Sequence, residues 1–325
     1  MKVTFHKMIE IKKYFDLDEM NPIGEGGFGV VFRGHRKIGM KNHSSTIDDV
    51  VVKYLKDKNS KDGDTNDHQR FFYRELSTQS SLDHMAVLPI LNYQIMCEDD
   101  PRIGFVMPFM KNGSLRNVLK LESSGMKPEE WNETKRAICI FGIAAGMAFC
   151  HQNDIIHRDL KTDNILLDEN MYPKISDFGL AKIVDENVKK ECNQTLGVGT
   201  MYYMAPEVMD GEGDYNFKAD VFSYSMILYE IISCEIPYSK EKFNLFKFLN
   251  NDKRPPLDKS LFPPYFYELI QRCWDRDPNF RPSFKDIIKE MYENVDSIFT
   301  REFFNDLNLN ELMDYMDDVI SGIDL

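Results

Sequence analysis

Long apolar runs, paired cysteines and positive charge are all in short supply in this chain of 325 residues. No segment approaches the roughly 18 consecutive apolar residues that a membrane span needs. The opening MKVTFHKMIEIKKYFDLD has no uninterrupted apolar stretch of the kind that directs secretion. A membrane-spanning or exported protein is therefore not expected, and a cytoplasmic one is. Cys97, Cys139, Cys150, Cys192, Cys234 and Cys273 are scattered, without C-x-x-C or Cys/His spacing, so they indicate neither a disulfide framework nor a zinc site and are read as free thiols. Lys and Arg number 40 against 53 Asp and Glu, for a formal charge of -13. Nucleic acid is excluded as a main partner, because phosphate binding requires a basic patch. Internal repeats and low-complexity tracts are missing as well.

What is present is ample core material, 42% hydrophobic residues, in two textures. From Lys2 to Met107 short β-like runs, VVFRG, DDVVVKYL, VLPILNYQIM and IGFVMPFM, alternate with polar turns, which predicts a small sheet. One helix is predicted over HQRFFYRELSTQSSL, His68 to Leu82, preceded by a surface loop, and Gly34 to Asp49 is read as a second loop. After Lys111 the apolar positions recur at three and four, as in WNETKRAICIFGIAAGMAFCHQ and KADVFSYSMILYEIISC, so the C-terminal part is read as mainly helical.

Four segments carry candidate chemistry. IGEGGFGVV places Gly24, Gly26 and Gly29 in G-x-G-x-x-G spacing between two β-like runs. Glycines let a backbone close over phosphates and offer N–H donors, although a tight hairpin turn would account for them too. A dinucleotide fold would need a helix straight after the glycines, and a strand follows instead. VVVK holds the Lys53 ammonium on a strand, as a phosphate partner or a plain surface lysine. Glu75, on the following helix, could pair with it. IIHRDLKTDNILLDENMYPKISDFGLAK puts Asp159, Asn164 and Asp177 on neighbouring loops, an oxygen-rich set of the kind Mg²⁺ favours. One carboxylate is left to take the proton of an attacking hydroxyl. His157 follows two isoleucines and has no second His or Cys at ligand spacing, so it is read as a packed core residue.

Taken in order, these motifs resemble those of the eukaryotic protein kinases, from about Phe15 to about Phe299. The resemblance implies an α+β, bilobal fold: a small β-rich N-lobe with one main helix and a larger, mainly α C-lobe. It divides the chain into an extension (1–14), an N-lobe and hinge (15–110), a C-lobe (111–300) and an acidic tail (301–325). It implies ATP and Mg²⁺ as cofactors, and transfer of the ATP γ-phosphate to Ser or Thr of a protein substrate. Asp159 then corresponds to the catalytic base, Lys161 to the lysine on the transferred phosphate, and Lys53 with Glu75 to the phosphate-pairing lysine and its helix partner. Asn164 and Asp177 correspond to the metal ligands. Ile23, Gly24, Gly26, Gly29, Val31, Val51 and Leu166 would enclose the nucleotide, with Met107 as gatekeeper, Pro108, Phe109 and Met110 as the adenine-binding hinge, and Ser114 on the ribose. GTMYYMAPE resembles the substrate-docking loop, and Asp220 and Arg281 match the structural Asp and the Arg that pairs with Glu207. HRDLK together with Thr200 resembles serine/threonine kinases; CWDRDPNFRPSF and FMKNGSL resemble the tyrosine-kinase-like group. A pseudokinase scaffold is the alternative, and the presence of Lys53, Asp159, Asn164 and Asp177 weighs against it.

Several positions depart from the pattern. Val51 replaces the usual Ala and Gln79 a usually apolar residue, and a buried amide without a partner would leave the Glu75 helix loosely held. Phe222 and Ser225 replace the usual Trp and Gly. Arg158, beside the candidate base, goes with regulation by activation-loop phosphorylation, for which Thr195 is the first candidate acceptor, and Cys192 is an exposed thiol in the same loop. In the tail, Leu312, Met316, Val319 and Ile320 fall on one helical face among acidic residues. That helix is read either as packed on the chain's own large lobe or as docking a basic partner or a second copy of the chain. Its charge argues against a membrane surface.

Overall fold

The computed structural model describes residues 7–25, 29–37, 47–55, 65–95, 99–183, 200–209, 216–239 and 253–325. The chain divides into two compact units: Met1–Asp83, Val87–Lys111 and Asp177–Ala181 form the first, and His84–Ala86, Asn112–Ser176 and Lys182–Leu325 the second.

The first unit is built on a seven-stranded sheet. Its strands are β1 (Lys7–Met8), β2 (Phe15–Leu17), β3 (Gly24–Glu25), β4 (Gly29–Arg36), β5 (Asp49–Leu55), β6 (Asn92–Gln94) and β7 (Gly104–Pro108), in the order β1-β6-β7-β5-β4-β2 with β3 beside β4. All pair antiparallel except β1, which runs parallel to β6. The period of two along β5 sorts its residues. Val50, Val52 and Tyr54 enter a core with Ile11, Phe15 and Val106, while Val51 and Lys53 face the other way. Directly opposite these two across the ladders stand Val31, Arg33, Phe105 and Met107. At the Phe105 position of that face lies α2 (Thr65–Ser80), whose Phe72 ring meets Phe105 at 4.9 Å.

Three expectations need correction. Gly34–Arg36 are strand rather than loop, because β4 is paired on both sides, with β2 and with β5. Gly34 is required there: a Cβ would lie 2.6 Å from Leu17 Cδ2. The helix begins at Thr65, inside the expected loop, and ends at Ser80. Among the described residues of VLPILNYQIM only Asn92–Gln94 form a strand, as Pro89 has no N–H to give a ladder. Residues set apart as an extension also enter the sheet, as β1 and a one-turn α1 (Ile11–Tyr14) whose Ile11 N–H donates to Gln94 Oε1 at 2.7 Å.

The second unit is mainly helical: α3 (Leu115–Ser123), α4 (Glu133–Gln152), α5 (Pro206–Met209), α6 (Phe217–Ser233), α7 (Pro264–Cys273), α8 (Phe284–Glu293), α9 (Val295–Ile298) and α10 (Leu309–Val319). Two small antiparallel pairs accompany them, β9 (Ile165–Leu167) with β10 (Pro173–Ile175), and β8 (Ile155–Ile156) with β11 (Lys182–Ile183). Helix α4 is apolar nearly all round, hence a central helix, and α8 and α10 pack on it. In α10 the buried face is Leu312, Tyr315, Met316 and Val319; Ile320 is half-buried at the helix end. Asn308 caps its first turn. The apolar face of the tail is thus taken up by the chain itself. Cys139, Cys150, Cys234 and Cys273 are free thiols, and Cys97 and Cys192 lie outside the described residues. No helix among the described residues is long and apolar enough to cross a membrane.

Candidate active site

In the first unit a single ammonium is shared by two carboxylates. Lys53 Nζ lies 2.6 and 2.7 Å from the two Glu75 oxygens and 3.3 Å from Asp177 Oδ1. Burial works against the charge on Lys53, but the two acids outweigh it and hold the ammonium charged above its ordinary range. Burial pushes Glu75 up to about 7 against the pull of Lys53, and the negative charge of Asp177 adds to the rise. Asp177 has a left-handed backbone, φ 66° and ψ 63°, and the Phe178–Leu180 turn that follows it packs against α2. A non-glycine residue holds that conformation only where its surroundings impose it.

Val31, Val51, Lys53 and Met107 share one sheet face, with Gly24 opposite Val31. Ile23, half-exposed at 51%, is tied to Val31 through its N–H. At Gly29 a Cβ would fall 2.8 Å from the Tyr54 carbonyl oxygen, so no other residue fits there without a shift. The Phe109 N–H donates to Asp49 O at 3.1 Å, and the Arg33 guanidinium lies 4.1 Å from the Phe109 ring centroid. Gln79 is buried, yet its Nε2 donates to Leu88 O at 2.7 Å, so the amide expected to lack a partner is half satisfied; only Oε1 has none.

In the second unit, Asp159 Oδ2 accepts from Lys161 Nζ at 2.7 Å and from Asn164 Nδ2 at 2.9 Å, and Asn164 Nδ2 also reaches the Asp159 carbonyl at 2.8 Å. The backbone below is fixed by Asp220. Its carboxylate takes the N–H groups of His157 and Arg158 at 2.9 and 3.0 Å and meets His151 Nε2 at 2.9 Å. Burial alone would raise that carboxyl; the bond from His151 and the His157 N–H hold it below its ordinary value. These bonds oppose the strain of Arg158, which has φ 69°. His157 is fully buried, as its isoleucine neighbours predict; Nδ1 accepts from the Asp159 N–H and Nε2 faces Ser176 O. Ser114 caps α3 by accepting from Asn117 N, and it bridges Leu166 on β9. Arg281, fully buried, grips Glu207 through two bonds of 2.6 and 2.9 Å. Gly26, Thr195 and Gly199 lie outside the described residues.

The motifs do not disclose a second network beside Lys161 and Asn164. Glu230, buried on α6, accepts from Thr162 Oγ1 at 2.8 Å, from Arg116 at 2.8 Å and from the Tyr203 hydroxyl, while Arg116 also reaches Asp163. The available signal was the lone acid in VFSYSMILYEIIS, since a charge in an apolar helix needs partners.

Comparison with known proteins decides the family. A family model described as protein tyrosine and serine/threonine kinase matches residues 17–291. The chain belongs to that kinase family. It is 34% identical over 307 residues to the probable serine/threonine-protein kinase drkD of Dictyostelium discoideum, covering 91% of this chain and 22% of the relative. It is also 34% identical over 282 residues to the putative serine/threonine-protein kinase/receptor R818 of Acanthamoeba polyphaga mimivirus (86% and 15%). With the serine/threonine-protein kinase STY17 of Arabidopsis thaliana it shares 30% over 272 residues (83% and 43%). This kinase chain therefore spans less than half the length of each of these relatives. Kinases of this family use ATP and Mg²⁺ and act on protein substrates, and the α+β architecture expected from the motifs is the one found.

Proposed function

We propose that this chain is an active protein serine/threonine kinase that moves the γ-phosphoryl group of ATP to a Ser or Thr hydroxyl of a protein. The observation that carries the reading is Lys53, held charged by Glu75 and Asp177 on the face that also bears Val31, Val51 and Met107. A fixed cation on an apolar floor suits a triphosphate joined to a planar base. Pro108 has no N–H and Phe109 commits its own to Asp49, so Met110 is the hinge residue left to donate to adenine. Ile23, Gly24 and Gly29 of the first unit and Leu166 of the second are assigned to the nucleotide by their motif positions, and the Ser114 hydroxyl, already an acceptor in its cap, would act as a donor to the ribose.

Asp159 serves as the base. Its carboxylate is fixed by Lys161 and Asn164, and it orients the substrate hydroxyl and takes its proton as the oxygen attacks the γ-phosphorus; ADP leaves. Lys161 is then placed to neutralise charge on the transferred phosphoryl group. Asn164, with its amide nitrogen spent on Asp159, offers its carbonyl oxygen, and Asp177 a carboxylate, both hard-oxygen donors that fit Mg²⁺. Bound Mg²⁺ supplies charge neutralisation at the phosphates. Among the described residues no group of three or more His, Cys, Asp or Glu gathers as a metal site. The HRDLK and Thr200 pattern and the match to named serine/threonine kinases support the aliphatic hydroxyl of Ser or Thr rather than the phenol of Tyr as acceptor. A cytoplasmic setting and control through Thr195 belong to the same reading. The test is incubation with radiolabelled ATP, Mg²⁺ and a generic protein substrate, followed by phosphoamino-acid analysis. Label on serine or threonine supports the proposal; label on tyrosine alone, or none with nucleotide still bound, contradicts it.

A further inference from the structure

The period of two that puts Val51 and Lys53 on one face of β5 puts Asp49 there as well. Across the ladder to β4, Val31, Arg33 and His35 stand opposite Lys53, Val51 and Asp49 in turn. This face of the first unit therefore carries charge at both ends, roughly 13 Å apart at the ordinary rise of a strand. Lys53 with Glu75 and Asp177 marks one end, and Val31, Val51 and Met107 lie between. The other end is a cluster to which the motifs give no role. Asp49 Oδ2 lies 3.3 Å from Arg33 Nη2, and Asp49 Oδ1 lies 2.5 Å from His35 Nδ1.

This second cluster reaches the segment that follows β7. The ladder of β5 with β7 runs out where Val50 faces Pro108, whose nitrogen carries no hydrogen. The next tie to the sheet is the Phe109 N–H, which donates to Asp49 O at 3.1 Å. Arg33 closes the circuit from the other side, with its guanidinium 4.1 Å from the Phe109 ring centroid and its Nη2 on the Asp49 side chain. Each of the three residues, on β4, on β5 and after β7, thus touches the other two. Arg33 Nε is buried without a hydrogen-bond partner among the described residues, so the ring and one carboxylate oxygen set the place of the guanidinium. The ion pair alone would hold little, because its side chains are 41% and 50% exposed and water screens it. The cation over the ring adds to it. We infer that Arg33 is a positioning residue for the hinge, which through Phe109 fixes the main chain leading to the Met110 N–H and so tunes affinity for the base rather than for the phosphates. A segment ordered before binding has less freedom to lose when the base arrives. The inference rests on the kinase reading where adenine is concerned; the bracing of Phe109 does not.

The test uses Arg33→Met, which keeps the straight stem and loses the cation, Phe109→Leu, which loses the ring, and the double variant. Thermal unfolding confirms that each is folded. Exchange of the residue 109 amide is followed by NMR in the chain without nucleotide, and affinities for adenosine and for magnesium tripolyphosphate are measured by calorimetry. In Arg33→Met the amide is expected to exchange about threefold to fivefold faster, the scale of one cation–aromatic contact, with adenosine affinity lower by a similar factor and tripolyphosphate affinity unchanged. The double variant should lose no more than Phe109→Leu alone, since without the ring Arg33 has nothing to brace. Where phosphoryl transfer is detected, KM for ATP should rise by the same factor while kcat holds. Unaltered exchange in folded Arg33→Met overturns the inference. So does an equal loss for tripolyphosphate, which would mark a general disturbance of the sheet, and so does a double variant in which the two single losses multiply. A chain that binds no adenosine but shows the exchange pattern would retain the brace on Phe109 and lose the kinase reading.

Discussion

Lys53 is hemmed in by acids whose protonation should be visible in its function. Between its ordinary 4.5 and about 7, Glu75 carries a proton in the folded chain that it would release in the unfolded one. The folded state then binds the extra proton, so the stabilisation from this group is fully present below 4.5 and is lost as pH rises through about 7. Ion pairing runs the opposite way, since a neutral Glu75 no longer holds the ammonium. Calorimetric affinity for Mg·ATP is therefore expected to weaken below pH 7, and Glu75→Gln to flatten that slope; an unchanged slope in the variant would remove Glu75 as the titrating group. At Gln79 two effects oppose each other. Gln79→Leu deletes an unpartnered buried oxygen but orphans the Leu88 carbonyl, each on the order of 1 kcal/mol, so the urea stability should move by less than about 1 kcal/mol. Basal phosphoryl transfer should stay as it is. A several-fold activation would revive the idea of a loosely held α2.

At the scale of elements, the contact of α4 with α10 is set by one glycine. A Cβ on Gly142 would overlap the Tyr315 hydroxyl and stand 2.8 Å from Pro173 Cγ. Gly142→Ala is expected to cost about 1–3 kcal/mol in denaturant unfolding. Tyr315→Phe should recover part of that loss, because the hydroxyl has no hydrogen-bond partner to forfeit. No recovery would mean that Pro173 sets the clearance. The strands around the candidate nucleotide face were legible because alternation is local: VVVK puts Val51 and Lys53 on one side, and the flanking runs supply Val31 and Met107. The ends of elements were less so. Gly34 looked like a loop signal, but the close approach of Leu17 is what demands it, and a neighbour that distant in sequence leaves no trace in the local pattern.

Across the whole molecule the residues proposed for the chemistry are divided: the first unit holds Lys53, Glu75 and Asp177, and the second holds Asp159, Lys161 and Asn164. Each of these residues stands in a short contiguous motif, which is why the sequence alone could single them out as candidates. It could not single out the supports, because their members come from far apart. His151 and Asp220 meet from α4 and α6, and Arg116, Thr162, Tyr203 and Glu230 meet from four separate segments. The tail gave its helix and most of its buried face to periodicity, whereas Tyr315, aromatic and tipped with a hydroxyl, did not announce itself as core.

The claim on which the rest depends is that Asp159 is the base of a phosphoryl transfer rather than one more buried acid. It is tested most directly by steady-state transfer from ATP with and without Asp159→Asn, alongside nucleotide affinity. The account predicts a fall in kcat of roughly 10²–10⁴-fold with affinity for Mg·ATP little changed, because the carboxamide keeps the shape and loses the proton acceptor. Retention of kcat in a folded Asp159→Asn variant would contradict it.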